Sequence, residues 1–375
     1  MRLFDNLNID FLGKRKTAYI VSGIFLAIGL LSVVFRGLEL GIDFKGGTEI
    51  ALQFEQDVDI AQIRADVNDI GLGNVEVKTF GGTQGVILRT ELQEIPASIF
   101  PRIKTAIEAS LKNYFPEAVY NVADSTSNSL TYQFGNDTTV VEISDKLFEL
   151  GYQTGVISAN QMVVRVAISD WLEETLKSKL PDNHFTVLKE DQVGPKIGGE
   201  LKRDSLIAVV LALLVILVYL GFRFKFAFAL GAVIAVFHDV LITLGMFSLL
   251  YGLIPGLNLE ISISVVASFL TLVGYSINDT VIVFDRVREY MKIHKTADLQ
   301  DNINRAINRT MSRTVVTSGT TMLVITVLLI FGGDVLRGFA FTLVFGIIVG
   351  TYSSIFVASA FILEFAQRSK KRFQF

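Results

Sequence analysis

"ISISVVASFLTLVGYSINDTVIVFD", residues 261–285, is long and apolar enough for a membrane-spanning helix, yet it carries Asn278 and Asp279. A helix needs about 20 predominantly apolar residues to cross a hydrocarbon core of about 30 Å. A charged side chain inside that core costs roughly 2.5–3.5 kcal/mol on insertion scales, so Asp279 requires a partner or a purpose.

The rest of the chain supplies the context. Of 375 residues, 51% are hydrophobic, too apolar for an ordinary soluble enzyme. Six windows are long enough to span a bilayer, at 16–36, 205–222, 226–250, 261–285, 314–333 and 338–364. Between the first two lies a polar stretch, 37–204, with 26 Asp and Glu against 15 Lys and Arg, a net −11 that leaves +8 for the remainder. Lys14, Arg15 and Lys16 precede the first span, Arg223 and Lys225 join the second and third, and Arg368 to Arg372 follow the sixth. Seven more basic residues lie between Arg286 and Arg313, whereas the opposite loop "YGLIPGLNLE" (251–260) has none. The positive-inside rule then predicts cytoplasmic termini, a cytoplasmic tail at 365–375 and an extracytoplasmic region at 37–204.

The first span is predicted to be an uncleaved anchor, since its apolar run exceeds a signal-peptide core and lacks a small-residue cleavage site before Arg36. Residues 1–15 mix Leu3, Phe4, Leu7 and Phe11 with charge, the pattern of an interfacial amphipathic helix. The chain has no cysteine, which excludes disulfides and thiol chemistry.

Strand and helix patterns alternate through 37–204 in the order βαββαβ, then repeat about 80 residues later. The reading is two ferredoxin-like units, at about 48–125 and 129–192, arising by internal duplication. The predicted fold class is therefore an α-helical membrane protein of six transmembrane helices with an extracytoplasmic α+β region. His184 is isolated, "GGTQG" (81–85) lacks the context of a phosphate loop, and Asn136-Asp137-Thr138 is a glycosylation pattern expected by chance. With no catalytic set, the region is expected to touch a polypeptide or a partner, through exposed strand edges.

At 100° per residue, Ser264, Ser268, Thr271, Tyr275, Asn278 and Asp279 fall within about 100° of arc on the fourth span. Small polar stripes are usually packing seams, and the carboxylate is what sets this one apart. The fifth span begins at Arg313, with Thr317, Thr320 and Thr321 near the same arc and Ser318 beside them. Asp279 lies six residues, ~9 Å of rise, before Asp285, so Arg313 can meet it at similar depth. The pair reads either as a permanent salt bridge or as a carboxylate that gains and loses a proton as the distance to Arg313 changes; considered alone, Arg313 also reads as a side chain snorkelling to the interface. His238 and Asp239 in the third span read equally as a relay or as structural hydrogen bonding. Asp285, Arg286 and Arg288 read as an interfacial charge cluster, and Gly346, Gly350 and Ser354 as a helix-packing seam.

Several segments together resemble a known family. "LGIDFKGGTEI" after the first span, "VGPKIGGEL" before the second, "HDVLITLG" in the third, "GYSINDTVIVFDRVRE" in the fourth and "NRTMSRTVVTSGTT" entering the fifth are similar to the SecD/SecF family of bacterial protein-export subunits, within the resistance-nodulation-division superfamily. The resemblance implies a non-enzymatic subunit of the inner (plasma) membrane that uses the proton-motive force to draw preproteins outward. It implies SecD as partner, in a separate chain or fused, and the SecYEG channel, with YajC, YidC, the preprotein and membrane lipids as further contacts and no nucleic acid. The family's essential carboxylate falls on Asp279 and its essential arginine on Arg313. No cofactor or metal is implied; the coupling ion is expected to be the proton, with sodium left open because Asn278 and nearby hydroxyls suit either. The resemblance departs in the outer region, where the family usually has one α/β unit. A proton-coupled exporter of lipids or small molecules, and a non-transporting translocon scaffold, are the competing functions.

Overall fold

The computed structural model describes residues 7–68, 75–79, 82–92, 95–97, 99–126, 128–135, 139–150, 152–224, 226–254 and 257–369. The Asn136–Thr138 pattern, Leu3 and Phe4, Lys225 and the tail beyond Ser369 lie outside the described residues. The chain divides into two compact units, Phe44–Gly199 and the remainder, Met1–Asp43 with Glu200–Phe375.

In chain order the elements are α1 (Arg15–Arg36), α2 (Ile42–Lys45), β1 (Gly47–Phe54), α3 (Ile60–Asn68), β2 (Val75–Thr79), β3 (Gly85–Thr90), α4 (Phe100–Tyr114), β4 (Tyr120–Thr126), β5 (Ser129–Phe134), α5 (Val140–Glu149), β6 (Gln153–Ser158), β7 (Gln161–Arg165), α6 (Ile168–Lys179), β8 (Phe185–Val193), α7 (Pro195–Arg223), α8 (Phe226–Leu250), α9 (Ile263–Ile293), α10 (Leu299–Phe331), α11 (Gly333–Ser353) and α12 (Ser359–Ser369). A π-helical turn, Ser354–Ala358, joins α11 to α12.

Six helical stretches are long and apolar enough to cross a membrane, in the order predicted. α8, α9 and the α11–α12 pair form the interior of this unit, whereas α1, α7 and α10 turn most of their surface outward. α7 shows why: Leu206, Val210, Leu211, Leu214, Val215 and Val218 are all exposed, which only an apolar surrounding tolerates. Three helices run well past their predicted windows. α7 starts at Pro195, α9 continues to Ile293 and α10 starts at Leu299, because each carries a polar extension that hydropathy alone excludes from a span.

Small residues set the closest approaches. Gly29 on α1 and Gly245 on α8 meet backbone to backbone: a Cβ built on Gly245 would lie 2.5 Å from the Gly29 Cα. Gly346 is filled by Leu272, and Gly350 leaves room for Ser276 and Asp239, in keeping with the predicted seam. The N-terminal segment departs from expectation. Residues 7–10 are not helical; they are tied to α10 by side-chain amides, with Asn308 bridging the backbone N–H and carbonyl of Ile9 (3.0 and 2.8 Å) and Asn304 accepting from Leu12 N–H at 3.1 Å. Backbone groups paired in this way have no need of helix bonds.

The Phe44–Gly199 unit holds two four-stranded antiparallel sheets, ordered β2-β3-β1-β8 and β4-β5-β7-β6. They are not the two consecutive blocks, 48–125 and 129–192, of the sequence reading. β4 joins the second sheet and β8 the first, and each final strand travels with the helix before it, α4 packing on α5 and α6 on β1 and α3. The first sheet is thus a βαββαβ unit whose last αβ pair follows a complete insertion. Aromatic pairs select the exchange. Tyr120 on β4 meets Tyr132 and Phe134 on β5 at 5.7 and 5.9 Å, and Phe54 on β1 meets Phe185 on β8 at 5.1 Å. On the first sheet, Arg89 of β3 donates to Glu49 of β1 and reaches Glu76 of β2, its register partners on either side.

Gly245→Ala is expected to destabilise the chain by about 1–3 kcal/mol, because the new methyl meets the α1 backbone with no flexible atom to yield. Gly274→Ala, where a Cβ would meet nothing within 4 Å, is the control and is expected to leave thermal unfolding in detergent unchanged or slightly raised.

Candidate functional site

The interior helices bury two carboxylates on one layer. Asp239 of α8 is fully buried and Asp279 of α9 is 2% exposed.

Asp239 accepts hydrogen bonds on both oxygens. His238 Nδ1 lies 3.0 Å from Oδ1, and Oδ2 accepts from Ser276 of α9 at 2.6 Å and from Ser353 of α11 at 2.7 Å. The imidazole passes the contact on: Nε2 is 3.0 Å from Ser22 Oγ on α1, which is 3.1 Å from the Tyr352 hydroxyl, and that hydroxyl donates to the Ala18 carbonyl at 2.7 Å. Four helices are therefore joined through one carboxylate and one imidazole.

Asp279 is held differently. Its Oδ2 accepts from Ser318 of α10 at 3.1 Å and from Thr351 of α11 at 3.4 Å, and the two hydroxyls lie 3.1 Å from each other. Among the described residues no ion pair joins Asp279 to Arg313, although the arginine is near enough to act on it through space. Arg313 is exposed and faces two hollows. One, of about 530 Å³, is a groove between α9 and α10 lined by Asn278, Ile282, Asp285, Glu289, Thr310 and Arg313. The other, of about 1010 Å³, lies between α10 and the N-terminal segment and adds Arg305, Arg309 and Thr317.

The predicted stripe on α9 splits along its length. Ser268 and Asp279 face the helix interior, whereas Thr271 and Asn278 are exposed; Tyr275 donates to Thr321 of α10 at 3.4 Å. Thr317 returns its hydroxyl to the Arg313 carbonyl at 3.0 Å. In the outer charge cluster Asp285 pairs with Arg223 at 3.6 Å and Arg286 with Glu289 at 2.5 Å, while Arg288 makes no ion pair among the described residues.

Ser318 stands out in the sequence beside the threonines of the fifth span, but the other hydroxyls that answer the charges do not figure in that reading. Thr351 and Ser353 sit in "TYSS" (351–354), four hydroxyl residues in the middle of an apolar helix, a signal as clear as Asp279 itself. Ser276 is committed to Asp239, and Gly274 two residues before it faces outward. The π turn that begins at Ser354 lies directly after these donors, a distortion often found at functional sites.

Comparison with known proteins places this arrangement. Residues 172–368 match the family described as "Protein export membrane protein SecD/SecF, C-terminal", and residues 31–58 match the "SecD/SecF GG Motif". The chain is 40% identical to the protein translocase subunit SecF of Rhodothermus marinus, over 99% of this chain and 98% of that protein. It is 36% identical to that of Koribacter versatilis, over 98% and 94%. The crystal structure of SecDF, a translocon-associated membrane protein from Thermus thermophilus, superposes with a TM-score of 0.66 at 32% identity; it covers 98% of this chain, which spans 40% of the length of that one. A multi-pass membrane protein of this similarity is a transporter-type component and not an enzyme. With its six apolar helices and its matches along nearly the whole length, the chain belongs to the SecD/SecF family of protein-export membrane proteins, in its SecF branch.

Proposed function

We propose that the chain couples the proton-motive force to the late stage of preprotein export, working with a SecD partner beside the SecYEG channel, its termini in the cytoplasm and residues 37–204 outside. Asp279 is the proton carrier and Arg313 its movable counter-charge. One observation carries the reading: the Asp279 carboxylate, inside the membrane unit, is answered by two neutral hydroxyls and, among the described residues, by no paired cation. A hydroxyl donates to a carboxylate and accepts from a carboxylic acid, so Ser318 and Thr351 suit both protonation states. A fixed guanidinium would hold the charged state alone. Arg313, exposed and about one and a half turns before Ser318 on α10, makes no ion pair among the described residues and is free to approach when the charge appears.

Asp239 is assigned the other task. Three donors on a fully buried carboxylate make it a joint between helices, and His238 and Ser22 extend that joint to α1.

The test is preprotein translocation into vesicles with and without a proton gradient. Asp279→Asn keeps the shape and is expected to lose the gradient-dependent increment while still assembling with its partner; a normal increment would refute the carrier role. Arg313→Lys is expected to keep part of the increment if charge alone matters and little if two-pronged geometry matters, whereas full activity in Arg313→Ala would leave it an interface anchor. A sodium titration at fixed pH identifies the coupling ion. Ser353→Ala should lower thermal stability by about 1–3 kcal/mol, the effect of leaving a buried acceptor short of a donor, as read by unfolding in detergent.

A further inference from the structure

Five threonines punctuate α10 between Thr310 and Thr321, and four of them satisfy their own hydroxyls. Thr310, Thr317, Thr320 and Thr321 each donate to the backbone carbonyl four residues back, at 2.9–3.0 Å. Thr314 does not. It is 3% exposed, and its Oγ1 is buried with no hydrogen-bond partner. A buried hydroxyl without a partner is unfavourable, and a helical threonine has a carbonyl within easy reach, so this one is held toward something else.

Its position says what. Thr310, Thr314 and Ser318 follow one another at i, i+4 and i+8 on the buried face of α10. Thr310 lines the groove of about 530 Å³ beside Asp285, Arg286 and Glu289 of α9 and Arg309 and Arg313 of α10. Ser318 donates to Asp279. Successive members are about 6 Å apart along the helix. That is too far for a direct hydrogen bond and close to the length of two bonds through one water.

We propose that Thr310, Thr314 and Ser318 form the cytoplasmic half of the proton pathway, a ladder of hydroxyls bridged by single waters that connects the α9–α10 groove to Asp279. The proposal rests on the reading of Asp279 as the carrier. Each rung accepts one proton and donates another, so a proton released by Asp279 emerges at the groove with no net change in the ladder. Thr314 is the rung that needs water, and its unanswered hydroxyl is where that water sits. It is a positioning residue in this scheme, since of the three rungs Ser318 alone touches the carboxylate.

The experiment uses the full chain, assembled with its SecD partner in vesicles carrying a pH-sensitive dye, and reads gradient-driven proton movement together with preprotein translocation. Thr314→Val removes the hydroxyl and keeps the shape; Thr314→Ser keeps the hydroxyl; Asp279→Asn removes the carrier. The expected result is that Thr314→Val loses most of both signals, Thr314→Ser retains them, and Asp279→Asn loses them. If Thr314→Val raises thermal stability and leaves both signals intact, Thr314 is only an unsatisfied polar group and the ladder is wrong, while loss in Asp279→Asn keeps the carrier reading standing. If Asp279→Asn retains both signals, carrier and ladder fall together. Should Thr314→Val fail to assemble, Thr314→Ala against Thr314→Ser decides the same point, equal activity overturning the proposal.

Discussion

A carboxylate inside six apolar helices must be surrounded by donors, and the packing of the membrane unit follows from meeting that requirement at Asp239. Ser276 of α9 and Ser353 of α11 converge on one oxygen while His238 takes the other, so α8, α9 and α11 cannot slide past one another without stranding a buried charge. Gly350 is bare at the place where Ser276 and Asp239 need room, and Gly29 with Gly245 lets α1 come close enough for Ser22 to reach the imidazole. In a bilayer, where apolar surface gains nothing by leaving lipid for protein, such contacts carry the specificity that a hydrophobic core carries in water.

Against that fixed joint, Asp279 stands out by how little holds it. Its two donors are longer contacts than those on Asp239, they bond to each other as well, and the nearest cation is turned to an open groove. One carboxylate is over-determined and the other is loosely held, one turn along the same helix interface. The division leaves a firmly tied frame and, within it, a carboxylate held by fewer and longer contacts.

The Phe44–Gly199 unit shows the same separation of local signal from global arrangement. Alternation and amphipathic spacing mark the eight strands and the helices among them, and those elements form where the residues imply. What periodicity leaves open is which strand lies beside which. β4 and β8 have equivalent patterns, and their exchange is decided by Tyr120 against Tyr132 and Phe134, and by Phe54 against Phe185. β4 and β5 are neighbours in the chain, but β8 returns to β1 across the whole insertion, and a contact so distant has no local signature, so a repeat was legible and its interleaving was not.

At the membrane site the sequence by itself determined the six spans, because hydropathy is a property of a single segment, and it marked Asp279 and Arg313 as charges needing an explanation. It also marked His238 and Asp239 as groups needing an explanation. Only the tertiary structure decided who answers them. Hydroxyls from α10 and α11 hold Asp279, Ser276 crosses to Asp239, and Thr314 is left open among threonines that close on themselves. Serine and threonine read as small residues in a sequence, since a hydroxyl that returns to its own backbone and one that crosses to another helix look alike until the neighbouring helix is in place.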